Sequence, residues 1–100
     1  MNPWAGEAAL TIDGRRHVAK LTLGALAELE AALEAGNLIA LIQRFEEGQF
    51  TTRDVLAVIV AGLRGGGWDG QAQDLMTAEI VPAEAAKVAA LLLARAFALP

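Results

Sequence analysis

From Gly6 the chain alternates, with Ala8, Leu10 and Ile12 on one face and Glu7, Ala9 and Thr11 on the other. Period two is the mark of a strand with one buried face. Asp13-Gly14 follows, a dipeptide suited to a two-residue type I′ hairpin turn because both positions need positive φ. Such a turn pairs Ile12 with Arg15 and fixes every later pair: Leu10 opposite His17, Ala9 opposite Val18, Glu7 opposite Lys20. A lone two-stranded hairpin is marginal in water, so this one must lie on helices or be extended by a strand of another chain. Ahead of it, Met1 to Ala5 has no period, and Trp4 either tucks onto the domain or belongs to a mobile end.

At Leu21 the period changes. Leu26, Leu29 and Leu33 recur at i, i+3 and i+7, Thr22 caps the first turn, Glu30 and Glu34 flank the stripe and Glu28 lies opposite it. The segment Leu21 to Leu33 is expected to organise the fold, with the other elements packed on it. Gly24 inside its first turn costs about 1 kcal/mol relative to alanine, and close approach of a strand would justify it. Gly36-Asn37 ends this helix, and Leu38, Leu41, Ile42 and Phe45 open a second stripe that Gly48 closes; Gln43, Arg44, Glu46 and Glu47 lie off that face, and the acidic pair is left for solvent. Thr51 or Thr52 caps a third helix, Thr52 to Arg64, with Asp54 in its first turn. Its apolar residues cover most of the circumference, which makes it the candidate core helix, although its β-branched residues make a strand the competing reading.

Gly65-Gly66-Gly67 stops that helix. The run follows a helix rather than a strand and no Lys-Ser or Lys-Thr comes after it, so a phosphate loop is disfavoured. Trp68 either anchors this loop or faces a partner. Asp69 is expected to cap a short helix from Gly70 to Ala78, and Val81-Pro82 to begin the last one. There Glu84, Lys87, Leu91 and Arg95 form a narrow strip, and Val88, Leu92, Leu93, Ala96 and Phe97 fill the rest. The fold class is therefore α+β: an N-terminal β-hairpin (6–21) followed by a small bundle of four to five α-helices (22–98), all in a single domain (1–100).

Composition narrows the function. A chain of 100 residues, 55% hydrophobic and 20% charged, is built to fold rather than to stay disordered. Mean hydropathy is positive, yet no apolar run reaches the length of about 18 residues that spans a membrane, and the C-terminal candidate is broken by Lys87 and Arg95. No basic segment leads into an apolar stretch at the N-terminus, so no signal peptide is expected. A net charge of −4 with one adjacent basic pair, Arg15-Arg16, argues against nucleic acid. There is no cysteine, serine or tyrosine and one histidine, so no activated nucleophile can be assembled, and His17 reads as structural. Carboxylates are scattered without the spacing of a calcium loop. No catalytic, cofactor-binding or metal-ligating residue is expected, and no cofactor.

The order strand, Asp13-Gly14, strand, then Leu21-Thr22-Leu23-Gly24-Ala25-Leu26-Ala27-Glu28-Leu29-Glu30, then a helix ending Gly62-Leu63-Arg64-Gly65-Gly66-Gly67, resembles the small tail protein of gene transfer agents and their tailed-phage relatives. The likeness covers about residues 6 to 68. Beyond it the chain matches only in being rich in alanine and leucine, and Trp68 stands where the family pattern has glycine interrupted by a small residue. That family is classed among phage tail assembly chaperones and has also been labelled a tail tube protein. The resemblance implies a non-enzymatic protein of tail morphogenesis in the cytoplasm of the producing bacterial cell. The partners implied are the tape-measure protein and the major tail tube protein, with self-association as a further expectation. As a chaperone it would cover apolar helix on the tape-measure protein, with contacts expected from Trp68, Leu92, Leu93 and Phe97. The alternative is a structural tail subunit, in the tube or at the tail end, retained in the particle and joined to its neighbours through hairpin edges.

Overall fold

A computed structural model describes residues 2, 5–33 and 37–97. The expectations placed on Trp4, Glu34, Gly36 and residue 98 fall outside the described residues. Two strands, β1 (Glu7–Ile12) and β2 (Arg15–Lys20), precede five helices: α1 (Leu23–Ala32), α2 (Leu38–Glu46), α3 (Thr52–Gly65), α4 (Ala72–Met76) and α5 (Pro82–Ala96). The strands form an antiparallel hairpin in the register that the turn dictates, Ile12 opposite Arg15 through Glu7 opposite Lys20. Asp13 and Gly14 have φ of 51° and 78°, the left-handed pair that a type I′ turn requires. The turn is also tied down: Asp13 N–H donates to the Glu79 carbonyl at 2.9 Å, and its carboxylate accepts the Glu79 N–H at 2.7 Å.

The organising element is α3, not the segment Leu21 to Leu33. It packs against β2, α1, α4 and α5, and it buries Val58, Ile59, Ala61, Gly62 and Leu63 together with Asp54. The reason lies in side-chain size. Within α1 only Ala25 and Leu29 are buried; much of the rest is alanine or glutamate, and Leu23, at the edge of the stripe, is 86% exposed. A helix that fully buries two side chains, with Leu26 and the cap residue Leu33 half-covered, is no hub, whereas the β-branched α3 fills space on several sides. Its helical state is secured at the N-terminus, where the Thr51 hydroxyl accepts the Asp54 N–H at 3.1 Å and the Asp54 carboxylate accepts the Thr51 N–H at 2.9 Å.

Arg44, off the apolar stripe of α2, reaches the start of α3. Its Nε and Nη2 each donate to one carboxylate oxygen of Asp54 at 2.9 Å, a bidentate pair that fastens α2 to the start of α3. These bonds hold the Asp54 carboxyl below its usual range, with the Thr51 N–H bond adding to them against the opposing effect of burial. On the other side of α2, Leu41 is fully buried, and Phe45 meets Phe50 edge to face. The short helix starts later than Asp69 predicts: Gln71 is its N-cap, and Asp74 accepts the Gln71 N–H at 2.8 Å.

Gly24 corrects a second expectation. No strand approaches it, and a Cβ there would meet only the Thr22 hydroxyl, at 4.0 Å. The glycine therefore carries its entropic cost without a packing reason, and Gly24→Ala should stabilise the domain by about 0.5 kcal/mol, a rise of about 2–4 °C in Tm by calorimetry. A fall in Tm would show that the site is more crowded than it looks.

Candidate partner-docking surface

The four residues expected to contact a partner separate into two kinds. Leu92 and Leu93 are 0% and 3% exposed, because α5 lays that side against α3 and the inner face of the hairpin. Side chains so placed belong to the core of this fold and are covered by it. Phe97, at the end of α5, is 45% exposed. Trp68 is half-buried, and its position follows from the end of α3: with Gly67 at φ 105°, its N–H donates to the Leu63 carbonyl at 2.9 Å while Gly67 N–H donates to Arg64. That is the Schellman arrangement, which folds the residue after the glycine back onto the helix. The ring lies so close to Gly70 that a Cβ there would sit 2.1 Å from it.

Both edges of the hairpin are closed, by different means. On β2 the carbonyls of Val18 and Lys20 point outward, and the end of α3 presses on them: a Cβ on Gly65 would lie 2.0 Å from the Lys20 oxygen and one on Gly66 2.2 Å from the Val18 oxygen. That edge is shut by backbone. On β1 the Glu7 N–H donates to the Asn2 carbonyl at 3.1 Å, and side chains of the strip on α5 close two further groups. The Glu84 carboxylate accepts the Thr11 N–H at 3.3 Å, and the Arg95 guanidinium donates to the Glu7 carbonyl. The narrow strip of the sequence is thus a cover for a strand edge. His17, opposite Leu10, is half-buried on the hairpin's inner side.

A shallow groove of about 800 Å³ runs between α1 and α3, with apolar walls from Leu29, Leu33, Leu56, Ala57 and Val60 and charged margins from Glu28 and Arg53. Leu23, Ile39, Met76 and Val81 are exposed as well. Ile39 carried a usable signal, since it falls about 100° away from Leu38 and off the stripe that the helix buries. Met76 and Val81 sit at helix ends, where periodicity is silent. Among the described residues no group of three acidic or histidine side chains could hold a metal ion, and no helix is long and apolar enough to cross a membrane.

A family model described as phage tail tube protein, GTA-gp10, matches residues 5–99. No curated protein and no solved structure matches the chain.

Proposed function

This chain belongs to the GTA-gp10 phage tail tube family, and from that premise we propose that it is a structural, non-enzymatic subunit of a phage-like tail, made in the cytoplasm of the producing bacterial cell and retained in the particle. The match over residues 5–99 carries the reading, since it spans the hairpin and all five helices. Its partners are copies of itself and neighbouring tail proteins, engaged through exposed side chains such as Phe97 and, in part, Trp68. Mass analysis of purified particles tests this: the chain should be present at the stoichiometry of a repeated component. Phe97→Ser should lower its incorporation while leaving Tm nearly unchanged, because a half-exposed ring at a helix end contributes little to the core. Unaltered incorporation would remove Phe97 from the interface.

The α1–α3 groove favours a second reading, an assembly chaperone that shelters apolar helix of the tape-measure protein, because a wall of leucine and valine open to solvent fits such a client. Absence from particles, together with solubilisation of the co-expressed tape-measure protein, would replace the structural subunit with the chaperone.

A further inference from the structure

The hairpin has one edge closed by the backbone of α3 and one closed at its two ends, by the side chains of Glu84 and Arg95 and, at the Glu7 N–H, by the Asn2 carbonyl, with Ala9 between them. Opening the β2 edge would require the end of α3 to leave, because Gly65 and Gly66 lie directly on the Lys20 and Val18 carbonyls. On the β1 edge a change of rotamer at Glu84 and Arg95 frees the Thr11 N–H and the Glu7 carbonyl, while the Glu7 N–H stays on the Asn2 carbonyl. The hydrogen-bonded pairing that the turn sets at Ile12 and Arg15 alternates along β1, so Glu7, Ala9 and Thr11 direct their backbone groups away from β2. Glu84 and Arg95 take the two ends of this row, and Ala9 stands between them in a groove of about 340 Å³. Val88 and Leu91 give the groove an apolar wall, while Arg16, Lys87 and Arg95 outnumber the single carboxylate of Glu84. A chain with net charge −4 thus gathers three of its eight cationic side chains beside one strand edge.

We infer that the β1 edge is a latched strand-acceptor site, which takes an extended, acidic segment of a partner protein along Glu7 to Thr11. The incoming strand bonds to the N–H and C=O of Ala9, Arg95 and Glu84 release the Glu7 carbonyl and the Thr11 N–H, and the freed Arg95, with Arg16 and Lys87, pairs with acidic side chains of the newcomer. The latch accounts for two facts together: the strip on α5 is charged although it faces a strand, and a two-stranded sheet is kept from pairing at random. This acceptor deepens the tail-subunit reading and rests on it only for the source of the strand; peptide titration tests the edge, and particle composition tests the reading.

The probe is a capped peptide of about seven residues that alternates valine with glutamate, titrated to about 1 mM into the isotope-labelled full chain and followed by amide chemical shifts. Saturable shifts are expected at Ala9 and Thr11, with binding at least about tenfold weaker for the same peptide carrying lysine in place of glutamate and for Lys87→Glu. Ala9→Pro removes an N–H that lies outside the β1–β2 ladder, so it should keep the dispersed spectrum of the fold and abolish the shifts. If proline unfolds the chain, Arg16→Glu combined with Lys87→Glu replaces it and must weaken binding as much as the lysine peptide does. No saturable shift, equal binding of the lysine peptide, or shifts centred on β2 would overturn the acceptor site.

Discussion

Gly65→Ala should destabilise the domain by about 3 kcal/mol, enough to lower Tm by about 12–20 °C in a protein of this size. The new methyl would sit 2.0 Å from the Lys20 carbonyl oxygen and 3.2 Å from the Ala25 methyl. Neither neighbour can turn aside, because one is strand backbone and the other is a buried side chain with no rotamer to change. The end of α3 must therefore lift off β2, which loosens the seat of Leu63 and the return of Trp68 to Leu63. Against a total stability of about 5–15 kcal/mol, such a loss is large. Thermal and urea unfolding of Gly65→Ala beside Gly24→Ala makes the comparison sharp, since the same chemical change should have opposite signs at the two sites. A Tm for Gly65→Ala within about 2 °C of the parent would mean that α3 does not rest on the hairpin edge.

These glycines show what can be read from the sequence and what cannot. The hairpin, its turn and its register were set by short-range rules, because alternation and Asp13-Gly14 fix each pair within a dozen residues. The boundaries of α3 and α5 follow from Thr51 and Pro82 for the same reason. A run of three glycines, by contrast, marks the end of a helix without revealing that its members play different parts, for Gly65 and Gly66 admit two carbonyls of β2 whereas Gly67 supplies the positive φ. Those parts are set by a strand more than forty residues away. The same limit governs the surface. Leu92, Leu93 and Phe97 belong to one wide apolar sector, and no local pattern says which of them α3 will cover. Nothing local says that the strip Glu84, Lys87, Leu91, Arg95 will lie along β1.

Asp54→Ala is expected to cost about 3 kcal/mol, through two losses at one carboxylate. The carboxylate's half of the capping box, its bond from the Thr51 N–H together with its charge at the helix start, contributes about 1 kcal/mol. The bidentate pair with Arg44 contributes about 2 kcal/mol, below the range for fully buried pairs because the Arg44 side chain is 32% exposed and can return to water. Asp54→Asn separates charge from capping: an amide oxygen can still accept the Thr51 N–H, but the charge-assisted fork is gone. The pH dependence follows from the direction of the shift. The Arg44 bonds lower the Asp54 pKa in the folded state, so the unfolded chain takes up this proton first on acidification. Its stabilisation is fully present above the unfolded carboxyl value of about 3.9 and disappears as pH falls through the lower folded value. The gap in Tm between the parent and Asp54→Asn should accordingly be constant near neutrality and shrink below about pH 4. Should the gap stay unchanged into that acidic range, the pair would not be working through charge, and packing of the Arg44 side chain would have to explain how α2 is held.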